Sequence, residues 1–173
     1  MSGFQKLGSS AIPADLVARD RDGKVVLLVE VKAPKSEYIT EHPDSSLVKW
    51  ARDHPEPEDF PYLMVANVNT ISIFKRESAS PSSDIYSRPA ADFSFKSDDF
   101  LTAYDPLYRQ KADVGRILEY YLEGLIVAWL RDLTYHWKFE EPPGTKELAR
   151  IGLASRLEGG WVEEEDPDDD PLC

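Results

Sequence analysis

The chain has 173 residues, 42% of them hydrophobic and 11% aromatic, which is enough for one folded domain with its own core. It carries 32 acidic side chains against 20 Lys and Arg, a net charge of −12, which argues against non-specific nucleic-acid binding through basic charge alone. Seven of those acids crowd into the eight positions 163–170, so the remainder stands near −5, mild enough for a site that borrows its positive charge from a metal ion.

Other broad classes are excluded on similar grounds. No apolar run approaches the ~18 residues of a membrane span. The opening MSGFQKLGSS lacks the apolar stretch of a secretory signal. The single cysteine, Cys173, allows no internal disulfide, and the expected location is cytoplasmic.

Residues 1–12 read as a short, mixed lead-in. A strand is expected from Pro13, through Ala14, Asp15 and Leu16, to Val17. The stretch Asp20-Arg21-Asp22-Gly23 supplies a tight turn, since Asp and Gly tolerate its dihedrals. The returning strand, Val25 to Ala33, is apolar on both faces from Val25 to Val29, as a strand covered on both sides would be. The pattern then breaks. Glu30 and Lys32 lie two apart and project from one face. Charges at the end of a buried strand are unfavourable unless they are paired or used. The hairpin could bring Asp15 close to Glu30. Two carboxylates and a Lys converging there suit a hard cation, Mg²⁺ or Mn²⁺, working on a phosphate.

Pro34 stops the strand. A short helix with an Asp or Ser cap is expected around Leu47, Val48, Trp50 and Ala51, ending before Pro55. Its Lys49, Arg52 and His54 read first as a solvated basic face, with phosphate contact as the alternative. After a polar linker at 55–59, a second hairpin is expected. Its strands are Pro61–Ala66, buried, and Thr70–Lys75, alternating like an outer strand, and Asn67 and Asn69 form the turn.

Residues 77–96 are rich in Ser and Pro and read as a surface excursion. Ser97-Asp98-Asp99 should cap a short helix through Tyr104. The longest helical signal runs over 111–137, with apolar residues from Val114 to Leu133 at 3–4-residue spacing. Its apolar band is wide enough to serve a homodimer or partner subunit as well as the core. His136 reads as a helix-end cap. A further amphipathic helix is expected over 146–157, and an acidic, disordered tail over 158–173. One domain, 1–157, results: an α/β fold with a mixed central sheet of about four or five strands flanked by helices.

Asp15, fourteen residues, then Glu30-Val31-Lys32, with the apolar run before Glu30, resembles the PD-(D/E)xK motif of the restriction-endonuclease-like nuclease superfamily. The second hairpin is loosely similar to the nuclease domains of type I restriction subunits. The resemblance covers residues 12–76. It implies a metal-dependent endonuclease, a hydrolase of DNA phosphodiesters. In it Asp15, Glu30 and the Val31 carbonyl would hold Mg²⁺ or Mn²⁺, and Lys32 would position the attacking water. Gln5 would touch the metal's water shell. The family core opens with a helix, often bearing a further Glu, and the short stretch before Pro13 departs from that pattern. Two alternatives stay open: a catalytically inactive interaction subunit of the same fold, and an unrelated α/β binding module in which Glu30 and Lys32 form an ordinary edge pair.

Overall fold

The computed structural model describes residues 12–32, 45–54, 59–76, 93–115, 117 and 119–164. Six strands make one mixed sheet: β1 (Leu16–Arg19), β2 (Val25–Lys32), β3 (Tyr62–Asn67), β4 (Thr70–Lys75), β5 (Phe93–Lys96) and β6 (Trp161–Glu164). They lie in the order β5-β4-β3-β2-β1-β6. The helices are α1 (Ser46–Arg52), α2 (Ser97–Leu101), α3 (Tyr108–Asp113), α4 (Glu119–Tyr135), α5 (Thr145–Arg150) and α6 (Leu153–Leu157). The fold is α/β, a mixed sheet flanked by helices.

The first hairpin forms because its turn closes on itself. Asp20 Oδ1 accepts from the N–H groups of Asp22 (2.9 Å) and Lys24 (3.0 Å), and Gly23 takes φ 86°, which glycine tolerates at little cost. The strands then pair antiparallel, with Leu16 opposite Val29. β2 and β3 pair in parallel. That pairing requires a crossover, and α1 lies in it. β2 is therefore central and apolar on both sides. Leu28 packs with Leu63, Val65 and Phe74 beneath Leu47 and Trp50 of α1. Val29 and Val31 face the larger core, with Met64, Ile73 and the α4 residues Leu122, Ile126 and Trp129.

Two of the six strands lie where none was foreseen. Phe93–Lys96 pairs with β4, so the excursion foreseen over 77–96 ends in a sheet strand, and β4 is not an outer strand. Ser72 and Phe74 are accordingly buried, as are Ile71 and Ile73. Trp161–Glu164 pairs with β1, which corrects the expectation of disorder from 158 onward. Residues 165–173 lie outside the described residues.

The helix foreseen over 111–137 is two helices. Gly115, at φ 68°, ends α3 as left-handed glycines commonly end helices, and α4 starts afresh at Glu119. Gly152, at φ 80°, divides the expected 146–157 helix in the same way. α4 buries Leu122, Leu125, Ile126, Val127, Trp129, Leu130 and Leu133 within the chain and leaves Tyr120 and Tyr135 exposed. The helix capped at 97 ends early, and its N-cap is Lys96. Ser97 is fully buried and donates to the Asn67 carbonyl at 2.7 Å.

His136, expected as a dipole cap, sits past the end of α4 at φ 51° and bonds through Nε2 to Glu158 at 2.7 Å. That hydrogen bond raises the imidazole pKa above its usual value, against a smaller opposing effect of desolvation. The folded pKa exceeds the unfolded one, so the pair's contribution is complete below about pH 6.5 and fades as pH rises through the folded pKa. The expected result is that His136→Asn, which accepts the left-handed backbone, removes this part of the pH dependence of the melting temperature. For a pair this exposed, the difference between pH 6 and pH 9 is at most about 1 kcal/mol.

Candidate metal and catalytic site

The sequence-predicted residues meet at one place, the end of β2 where the sheet opens beyond β1. Continuing the β1–β2 register by one residue sets Asp15 across from Glu30. The Asp15 N–H donates to the Val29 carbonyl at 2.7 Å, which closes the ladder. The Asp15 side chain then takes the next rung: its Oδ2 accepts from the Val31 N–H at 2.7 Å. In an extended strand the N–H and C=O of one residue leave on the same side. The Val31 carbonyl therefore points toward the Asp15 side, past the last residue of the β1 ladder.

Glu30 is only 4% exposed. Its Oε2 accepts from the Ser45 hydroxyl and, at 3.5 Å, from the Leu47 N–H. Its Oε1 lies 3.2 Å from Lys32 Nζ, whose side chain is 53% exposed. β2 is not an edge strand, so Glu30 and Lys32 are not an ordinary edge pair: the carboxylate is interior and the ammonium reaches water.

The electrostatics follow from this placement. Burial pushes the Asp15 pKa above the usual carboxylate value, and the charge on Glu30 pushes the same way. The Val31 N–H and the Lys32 ammonium oppose them. Burial outweighs the two opposing interactions, so the shift is upward. The donor set, carboxylate and carbonyl oxygens with no soft ligand among them, is of the kind a hard divalent cation takes. Asp15, Glu30 and the Val31 carbonyl would hold it. Among the described residues no group of three or more His, Cys, Asp or Glu gathers that could hold a metal ion. Gln5 lies outside the described residues.

The basic residues of α1 divide. His54 is stacked on Trp50, with ring centroids 4.1 Å apart, and its Nδ1 bonds to the Trp50 carbonyl. It belongs to the helix end and not to the site. Lys49 and Arg52 occupy the last turn. Asp98 pairs with Arg109 at 3.0 Å. The sequence calls for an Asp or Ser cap before Leu47 without choosing among them, and Ser45 is the one that caps α1. It accepts from the Val48 N–H at 3.2 Å, and its second partner is Glu30.

The fold and the site together define an α/β domain with a carboxylate–lysine cluster beside its central parallel strand pair. No family model matches this chain, and neither a curated protein nor a solved structure matches it. No helix among the described residues is long and apolar enough to cross a membrane.

Proposed function

We propose that this chain is a metal-dependent nuclease that hydrolyses DNA phosphodiester bonds. The observation that carries the reading is the convergence of Asp15, Glu30 and Lys32 at one sheet end, with Asp15 across from Glu30 in the strand register and Glu30 paired to Lys32. A bound Mg²⁺ or Mn²⁺ supplies positive charge to the phosphate and lowers the pKa of its water. The chain's own residues do the rest. Asp15 is locked by the Val31 N–H, so its orientation is set before anything binds. Glu30 is held by Ser45 and Leu47. Lys32 keeps its ammonium on the wet side of the site, where it can orient the attacking water and meet charge developing on the phosphate.

The test is cleavage of supercoiled plasmid with Mg²⁺ or Mn²⁺. Lys32→Ala is expected to lower the rate by about 10²-fold or more. Its melting temperature should fall modestly, because the buried Glu30 loses its ammonium partner but keeps Ser45 and Leu47. Asp15→Asn should abolish cleavage while keeping the Val31 hydrogen bond. Chelation should abolish it in the wild type. No cleavage by the wild type, with no metal-induced rise in melting temperature, overturns the proposal.

The hydrogen bonds to Glu30 also support a second reading, a catalytically inactive interaction subunit in which Glu30 fastens α1 to the sheet. Under that reading Glu30→Gln leaves every metal response absent and changes stability alone.

A further inference from the structure

Glu30 has two oxygens, and the structure uses them differently. Oε2 is turned into the protein, toward the Ser45 hydroxyl and the Leu47 N–H. Oε1 is turned toward the Lys32 ammonium, 3.2 Å away, and carries neither of those hydrogen bonds. Ser45 itself is only 5% exposed. Its hydroxyl accepts from the Val48 N–H while donating to Glu30, so its single proton is directed at the carboxylate. The start of α1 thus forms a short relay, from Val48 N–H through Ser45 Oγ to Glu30 Oε2.

We propose that Ser45 is a positioning residue that restricts Glu30 to one metal-facing oxygen and thereby selects Mg²⁺ or Mn²⁺ over Ca²⁺. The inference rests on the metal-site reading above. Its physical basis is the coordination habit of the two kinds of ion. Ca²⁺ takes six to eight oxygens and accepts carboxylates through both oxygens at once. Mg²⁺ demands a near-ideal octahedron, keeps several waters and takes one or two carboxylates. A Glu with one oxygen committed to a buried hydroxyl offers the second arrangement and withholds the first. The Asp15 carboxylate behaves alike, since its Oδ2 is committed to the Val31 N–H. Each carboxylate of the pair therefore presents one oxygen, which suits the smaller ion.

The experiment uses the full chain and the metals alone. The melting temperature is followed against Mg²⁺, Mn²⁺ and Ca²⁺ concentration for the wild type, Ser45→Ala and Ser45→Thr. The wild type should be stabilised by Mg²⁺ at lower concentration than by Ca²⁺. Ser45→Ala should weaken Mg²⁺ binding about 10- to 100-fold, the usual consequence of removing an outer-shell partner. Ca²⁺ binding should weaken less or strengthen, because Oε2 is released. Ser45→Thr, which keeps a hydroxyl, should restore the Mg²⁺ preference. A purely structural cap predicts a lower melting temperature without metal and an unchanged Mg²⁺/Ca²⁺ ratio, and that outcome overturns the inference. Absence of any metal response in the wild type overturns the metal site itself, so the two failures are told apart.

Discussion

Replacing Asp132 by Ala is expected to be the most damaging single change in the α4 region, lowering stability by about 3 kcal/mol or more. Asp132 is fully buried. Its Oδ2 accepts from the Tyr104 hydroxyl at 2.7 Å, and its Oδ1 from the N–H groups of Lys138 (2.9 Å) and Phe139 (3.2 Å). One carboxylate thus serves a phenol from the loop after α2 and two backbone donors from the turn after α4. Burial raises the Tyr104 pKa and the Asp132 hydrogen bond adds to it, so the phenol stays a donor across the physiological range. Alanine would orphan all three donors, and each unsatisfied group costs about 1–3 kcal/mol. In a domain with 5–15 kcal/mol in total, the melting temperature should drop by about 6–12 °C. Asp132→Asn keeps an acceptor for the backbone pair and should lose far less. If Asp132→Ala and Tyr104→Phe prove additive in a double-mutant cycle, the shared network does not hold.

Gly160→Ala should detach β6. A Cβ at that position would sit 1.8 Å from the Arg19 carbonyl oxygen, in the backbone of the strand to which β6 pairs. No side-chain rotation relieves such an overlap, so the two strands must separate. The buried Val162 then loses its packing, a loss of about 1.5–3 kcal/mol. The signature is local. Amide hydrogen exchange should accelerate in residues 161–164 and along the outer edge of β1, while β2, β3 and α4 stay protected. Gly124→Ala is the matched control. Gly124 is exposed in the middle of α4 with nothing within 4 Å of an added Cβ, so this change should stabilise by about 0.5–1 kcal/mol. Protection of 161–164 surviving in Gly160→Ala would show that the close approach is not limiting.

What the sequence made readable was whatever depends on near neighbours. The Asp20–Gly23 turn, the doubly apolar β2 and the alternation that puts Glu30 and Lys32 on one face are properties of a few consecutive residues. The hairpin then carries Asp15 to Glu30 with no long-range information. β6 was unreadable because its residues, Trp161-Val162-Glu163-Glu164, begin an acidic run and look solvated. Their partners are remote: Glu163 meets Arg19 at 3.2 Å, and Val162 fills the core. Asp132 gives no local sign of burial, a charge beside Arg131 in the longest helical stretch. It is interior only because Tyr104 and the 137–139 turn fold over it. An Asp or Ser cap was legible before Leu47, but the bond from Ser45 to Glu30 spans the whole β2–α1 connection.

The sheet order has a consequence for how the chain reaches its fold. β1 comes near the beginning of the described residues and β6 near their end, yet the two lie side by side. During synthesis the first hairpin can form early, but its outer edge stays bare until the last strand leaves the ribosome. A bare strand edge is a template for pairing with other chains. β6 therefore acts as a late closure on nascent-chain aggregation, and its exposed Glu164 adds negative charge there. Chains cut short before Trp161 should keep a hairpin and lose that protection, collecting as intermolecular β-structure instead of folded monomer.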